Sequence, residues 1–428
     1  MPYLSTFKLS KLIQPLQARF EYRVSVPGSK SVALRQLVMS TLAKEDSVLH
    51  GLPPCDDIDA MLDCLKQLQV SMSGDLESGL CIEGFFNRSE DLDLNARQSG
   101  VSLRLLLALS ALRHGITIFH GEPSLANRPN APLLSALEQI GCRIESIDGK
   151  LPIRISGPSK THATSLDAST SSQFLSALLV IAPSLPNGLQ VRLKSELASA
   201  AYARGTIDEI SKRGIAIEVS QDERVFSINP QSYQGGEISI EGDASASTYH
   251  MALATLHGAT VHIDNVGTDS WQPDYAFAKV CELLGASVQR AATRTTITGP
   301  RILQKLEQIN MAAMPDAAPT LMAMAPYLPT PITISGLATL RHKECDRIAC
   351  PAKELTRAGI RVQEDDDKLT IWPGNPIATE FETYDDHRMA MAFAVLATKT
   401  RGCRIRDPSC VNKTYTNFWR DMGSAYVN

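Results

Sequence analysis

One hydrophobic pattern recurs along this chain: a short β-type run, a break at small and polar residues, then an Ala-, Leu- and Met-rich stretch that reads as a helix. In the first copy Val24 and Val26 alternate with polar neighbours like the end of a half-buried strand. Pro27 and Gly28 interrupt it, and Val32 to Leu42 reads as a helix. The same grammar returns near Ser102, Ser171, Ser245, Asp316 and His387, at intervals of about 70 residues. Glu237 to Ile240 and Glu380 to Tyr384 are β-type runs ahead of two of the copies.

A second helix is expected within each repeat: Asp57 to Leu68, Pro132 to Gly141, Thr206 to Gly214, Asp274 to Gly285, Asp346 to Gly359 and a shorter Tyr415 to Met422. Short strands fill the intervals, among them Cys142 to Ile147, Leu151 to Ile155, Ala216 to Val219 and Thr295 to Thr298. The unit reads as βαβαββ, and three such units make a domain of ordinary size. Two similar lobes with a cleft between them are therefore expected, with crossings near Ala18 to Tyr22 and near Gly242 and Asp243. That assigns residues 1–21 and 243–428 to one discontinuous lobe and 22–242 to the other. Pro319 falls in the first turn of its helix, whereas Pro351 falls deeper and predicts a kink.

At 428 residues, 43% hydrophobic and 21% charged, the composition is that of a globular protein of two or three domains. A net charge of −4 gives no support for general nucleic-acid binding or a basic membrane-surface role, so any cationic site is a local concentration. Neither a signal-peptide core nor a bilayer-length apolar span is found, and a cytoplasmic protein is expected. Nine cysteines without a CxxC pair read as reduced packing residues, and the histidines lack ligand spacing, so no metal is expected. No Gly-rich dinucleotide fingerprint or P-loop is present.

Lys30, Ser31 and Arg35 fall at the first turn of their helix, where free N–H groups and the helix dipole favour a phosphate or carboxylate. The plainer alternative is that Ser29 or Ser31 caps the helix and the cations are solvated. Recurrence favours the first reading, since six strand-to-helix corners can aim several helix N-termini at one cavity suited to a polyanion. Further cations stand at such corners: Arg128 before Pro129; Lys343 and Arg347 beside Glu344 and Asp346; His387 and Arg388; and Lys413 after Asn412.

Taken in order, these runs resemble the 5-enolpyruvylshikimate-3-phosphate synthases. The resemblance is carried by Pro27-Gly28-Ser29-Lys30-Ser31 with Arg35, Gly121-Glu122-Pro123 with Arg128-Pro129, Ser171-Ser172-Gln173-Phe174, Gly242-Asp243-Ala244-Ser245, Pro315-Asp316-Ala317-Ala318, Lys343-Glu344-Cys345-Asp346-Arg347 and Asp385-Asp386-His387-Arg388-Met389-Ala390. It covers nearly the whole chain. It implies two inside-out α/β barrels of three repeats each that close over the substrates, with the active site between them. The implied reaction is metal- and cofactor-free transfer of the enolpyruvyl group of phosphoenolpyruvate to the 5-hydroxyl of shikimate 3-phosphate, in a monomer that takes small molecules rather than nucleic acid or membrane.

By the same resemblance Lys30, Gly100, Arg128, Gln173, Arg347, Arg388 and Lys413 hold phosphoenolpyruvate. Lys30, Ser31, Arg35, Ser171, Ser172, Gln173, Ser199, Tyr202, Asp316, Thr339 and Lys343 hold the shikimate side. Asp316 is the candidate base for the hydroxyl and Glu344 the candidate proton donor to carbon, with Lys30 assisting at the bridging oxygen. Glu344 stands beside Lys343 and Arg347, which bias it toward its ionised form.

Some positions depart from the family pattern. Leu34 replaces an Asn, Gln98-Ser99-Gly100-Val101 replaces Asn-Ala/Ser-Gly-Thr, Thr339 replaces an Asn, and Ala200-Ala201 stand where Lys-Pro is common. Gln98 and Val101 predict reduced sensitivity to glyphosate. Thr339 and Ala200-Ala201 keep open a paralogue acting on another cyclic alcohol, and a non-catalytic binder of phosphometabolites is the alternative of another class. Transfer to UDP-N-acetylglucosamine is disfavoured because Pro123 to Arg128 contains no cysteine, and an RNA 3'-phosphate cyclase by the acidic balance.

Overall fold

The computed structural model describes residues 9–16, 19–84 and 86–427. Ala18, where the first crossing was expected to begin, lies outside them. The six expected helices are α1 (Lys30–Thr41), α2 (Gly100–Leu109), α3 (Ser172–Ile181), α4 (Ala244–His257), α5 (Ala318–Met324) and α6 (His387–Ala397). Ser29, Ser99, Ser171, Asp243 and Asp386 each start one by accepting a first-turn N–H on the side chain. The exception, α5, is entered through a 3-10 turn, Pro315–Ala317.

Every residue of α2, α4, α5 and α6 is buried. Polar residues in them are hydrogen-bonded inside, as Thr248 Oγ1 is to the Ser245 carbonyl at 2.7 Å. In each of two compact units three helices pack on one another: α1, α2 and α3 in Pro27–Glu241, and α4, α5 and α6 in the remainder. Sheets form the outer layer of each unit. A typical one runs Leu92–Asn95, Thr117–His120, Lys150–Ser156, Arg143–Ile147, its first pair parallel and the rest antiparallel. Strands such as Thr117–His120 alternate buried and half-buried positions, with one face on the helices. One sheet departs from the pattern, because Ser10–Leu12 pairs antiparallel with Arg404–Arg406 in place of a hairpin.

The expected boundary at 21/22 cuts through a strand. Glu21–Val24 pairs in parallel with Thr260–Ile263, and this carries the division to between Val26 and Pro27. Gly28 follows at once, where any Cβ would collide with the Gly51 carbonyl. Four expected second helices also shift, among them Tyr415 to Met422, which is observed as Phe418–Gly423. Ser199 takes a left-handed φ of 51° and launches Ala200–Lys212 six residues before Thr206. The Asp274 to Gly285 helix is instead a 3-10 turn, Pro273–Ala276, followed by Phe277–Leu283. Asp346 Oδ1 accepts the N–H groups of Ile348 and Ala349, so the next helix is Ala349–Arg357. Pro351 then lies in its first turn, where no N–H is needed, and the expected kink is not called for.

The core of the unit holding α4 contains a neutral histidine. His250 is fully buried, with Nδ1 2.7 Å from the Tyr22 hydroxyl and Nε2 3.0 Å from that of Tyr415. Burial lowers its pKa from 6.5 to about 3; burial and then Lys399 lower that of His257 to about 4. Below pH 6.5 the unfolded chain therefore binds more protons than the folded one, and stability falls as pH drops toward 4. Between pH 7 and 4.5 the loss from His250 alone is about 2–3 kcal/mol. Urea unfolding of His250→Gln should show a pH dependence flatter by that amount, and an unchanged slope would refute the assignment.

Candidate functional site

In the unit Pro27–Glu241, Lys30, Ser31, Gly100, Ser171, Ser172 and Gln173 stand at the N-termini of α1, α2 and α3. Lys30, the first residue of α1, puts Nζ 3.1 Å from Asp57 Oδ2, both largely buried. Asp57 in turn offers its carbonyl to Ser102 Oγ at 3.4 Å, tying α1's corner to that of α2. At Gly100 a Cβ would stand 3.0 Å from Arg128 Nη1 and 3.4 Å from Arg104 Nη1, so two guanidinium groups face a backbone bare of side chain. Arg104 also bonds Gln173 Oε1, Asn130 Oδ1 and the Pro129 carbonyl, and lies over the Phe174 ring. Ser171 caps α3 by accepting the Gln173 N–H at 3.3 Å.

On the other side of α1, Arg35 is buried, with Nε on Thr206 Oγ1 at 2.8 Å and Nη1 on the Ser31 carbonyl at 2.7 Å. Thr206 Oγ1 meets the Tyr202 carbonyl at 2.9 Å, so Arg35, Ser31 and the Ser199–Tyr202 corner form one network. Burial lowers the pKa of Arg35 to about 10, and the guanidinium stays charged at neutral pH.

The second unit carries a tighter cluster. Asp316 accepts from Lys343 Nζ at 3.0 Å, Arg347 Nη1 at 3.2 Å and Arg388 Nη2 at 3.1 Å. Glu344 accepts from Arg347 Nη2 at 2.7 Å and Lys413 Nζ at 3.1 Å. Asp386, wholly buried, takes Arg347 Nε at 2.7 Å and Nη2 at 3.0 Å in a fork, and caps α6 through the Arg388 N–H at 2.9 Å. Four cations thus surround three carboxylates. Burial pushes the Asp316 carboxyl up, but Arg388, Lys343 and Arg347 outweigh it and hold it well below the usual range. Arg347 is held above its ordinary value against its own burial by Asp386, Glu344 and Asp316.

Each cation in this cluster has an internal carboxylate where an incoming phosphate or carboxylate could take its place. The arrangement can therefore bind anions while leaving a carboxylate free to accept a proton. Thr339 is the outlier: it is half-buried in the 3-10 turn Ala338–His342 and makes no side-chain hydrogen bond to the cluster among the described residues. Asp57, Arg104 and Asp386 were not singled out from sequence. Asp386 stood inside a quoted motif, and Arg104 two residues past the corner at Ser102. For Asp57 no local signal existed, because its partner is on another helix.

A family model described as EPSP synthase (3-phosphoshikimate 1-carboxyvinyltransferase) matches residues 16–422. The 3-phosphoshikimate 1-carboxyvinyltransferase 2 of Halalkalibacterium halodurans is 34% identical over 414 residues, covering 95% of this chain and 92% of the relative. The 3-phosphoshikimate 1-carboxyvinyltransferase of Photobacterium profundum is 33% identical over 419 residues, covering 96% and 97%. Among solved structures, an EPSP synthase from Acinetobacter baumannii superposes with a TM-score of 0.78 at 22% identity, covering 97% of this chain and 98% of that one. The enolpyruvyl transferase NikO from Streptomyces tendae superposes at 0.74 and 16% identity, over 96% and 95%. The solved structures share the fold; matched nearly end to end by the family model and these relatives, the chain belongs to the EPSP synthase family.

Proposed function

We propose that the chain is a 3-phosphoshikimate 1-carboxyvinyltransferase, which moves the enolpyruvyl group of phosphoenolpyruvate onto the 5-hydroxyl of shikimate 3-phosphate and releases phosphate. The observation that carries this reading is the cluster of Lys343, Arg347, Arg388 and Lys413 around Asp316 and Glu344, in a chain whose relatives bear that name. On this reading Lys30, Gly100, Arg128, Gln173, Arg347, Arg388 and Lys413 hold phosphoenolpyruvate. Ser31, Arg35, Ser171, Ser172, Ser199, Tyr202, Thr339 and Lys343 surround shikimate 3-phosphate. Such cations stabilise both phosphates without a metal.

The substrates' charges draw cations off Asp316 and raise its pKa, so that it can take the proton of the 5-hydroxyl as that oxygen attacks C2 of phosphoenolpyruvate. Glu344 delivers a proton to C3. In the second half it recovers a C3 proton as the C–O bond to phosphate breaks, with Lys30 at the bridging oxygen. The enzyme works as a cytoplasmic monomer. Phosphate release with both substrates present, and its absence when either is omitted, tests the function. Release with another cyclic alcohol but not with shikimate 3-phosphate would favour the paralogue.

Two further outcomes follow at the α2 corner. Gly100→Ala pushes a methyl toward Arg128 Nη1, 3.0 Å away, and should raise the KM for phosphoenolpyruvate about ten-fold with little change in that for shikimate 3-phosphate. Equal effects on both would place Gly100 elsewhere. Val101 puts an apolar side chain in the first turn of α2, and Gln98 turns its amide to Glu122 Oε2 at 2.6 Å. Glyphosate inhibition should accordingly be weak and strengthen in a Gln98→Asn, Val101→Thr double variant. A wild-type inhibition constant equal to that of sensitive relatives would contradict it.

A further inference from the structure

The buried helices α4, α5 and α6 carry the cation–carboxylate cluster at their N-terminal side. At their other end, about 16 Å away along the eleven residues of α6, lies a cavity of about 900 Å³. Its floor is apolar, with Leu256 from the end of α4 and Tyr327 and Leu328 after α5. The Tyr327 hydroxyl is committed to the Leu396 carbonyl and Thr400, each at 2.9 Å, so the ring is what Tyr327 adds to the lining. Ile302 stands 78% exposed at the edge.

Its charge is one-sided. Arg19, Arg301 and Lys399 line the cavity, and none of its lining residues is acidic. The chain as a whole is net negative, and elsewhere in this unit Arg290, Arg341, Arg347 and Arg388 all meet carboxylates. Among the described residues no carboxylate lies within ion-pair distance of Arg19, Arg301 or Lys399. Neutralising helix C-termini accounts for Lys399, whose Nζ bonds the Leu256 carbonyl at 2.9 Å and which sits 5.6 Å over the Tyr327 ring. It does not account for Arg19 and Arg301, which also line the cavity.

We propose that this cavity is a second ligand site, which takes a small organic anion with an apolar ring, the carboxylate against Arg19 and Arg301 and the ring over Leu256, Tyr327 and Leu328. The volume is in the range of small-molecule sites, and an apolar floor with a few convergent polar groups is their usual chemistry. The proposal is independent of the function assigned to the cluster at the opposite helix ends.

Calorimetric titration of the full chain with 2-naphthoate tests it, with shikimate 3-phosphate and inorganic phosphate present to fill the first site. One-to-one saturable binding is expected, with 2-naphthamide, the uncharged isostere, at least about ten-fold weaker. Arg301→Gln should weaken 2-naphthoate about five-fold or more without altering kcat, and Arg19→Gln should act likewise. No saturable binding at millimolar 2-naphthoate, equal affinity for the amide, or full affinity in both variants would overturn the site.

Discussion

Replacing Asp386 by Ala is expected to lower kcat/KM about a hundred- to a thousand-fold and the unfolding temperature by several degrees. Asp386 accepts two bonds from Arg347 and one from the Arg388 backbone, and is itself wholly buried. Removing one partner of such a pair costs roughly 2–5 kcal/mol, much of it from leaving the other charge buried and alone. Arg347 would then swing toward Asp316 and Glu344, which it already meets at 3.2 and 2.7 Å. Asp386 acts as a positioning residue, so the loss should appear mainly as a raised KM for phosphoenolpyruvate. Asp386→Asn, which keeps the volume but turns an amide toward Arg347, should reproduce most of it. Steady-state kinetics within three-fold of wild type for both variants would exclude this role.

Asp316→Ala separates chemistry from binding. The carboxylate neutralises Lys343, Arg347 and Arg388 in the ligand-free chain, and its removal leaves those cations more open to substrate anions. The KM for phosphoenolpyruvate should stay level or fall, while kcat drops about 10³–10⁴-fold through loss of the base. Single-turnover quench measurements would locate the loss in the chemical step. A raised KM with kcat preserved would instead make Asp316 a binding group only. The variant also tests stability with a definite sign. Because Asp316 is held below the usual carboxylate range, its contribution is present at neutral pH and is lost as pH falls through the acid range. The variant should therefore lie closest to wild type in acid.

The six inner helices could be read from sequence because their signals are local: an apolar stretch, preceded in all but α5 by a serine or aspartate cap, as at Ser29 and Asp386. Where a side chain overrode the pattern, the reading slipped. Asp346 claims two N–H groups and delays its helix, and Ser199 starts another early in a left-handed conformation. The strand Glu21–Val24 was divided because its partner, Thr260–Ile263, lies far along the chain, and no local property of either segment announces the pairing. The candidate cations were visible through recurring corners and through the family resemblance. Their carboxylate partners were less so: Asp57 meets Lys30 only because α1 and the helix Asp56–Gln67 pack together.

The strand pairings also set an order for synthesis. Pro27–Glu241 is one continuous segment, so its helices and sheets can assemble as soon as residue 241 clears the ribosome. Ser10–Leu12 and Glu21–Val24 are translated before it, yet their partners at Arg404–Arg406 and Thr260–Ile263 come later. Through most of translation these two strands are nascent-chain edges awaiting partners. A permuted gene that begins at Pro27 and carries the native N-terminal segment after the present C-terminus would deliver those strands last, beside neighbours already made.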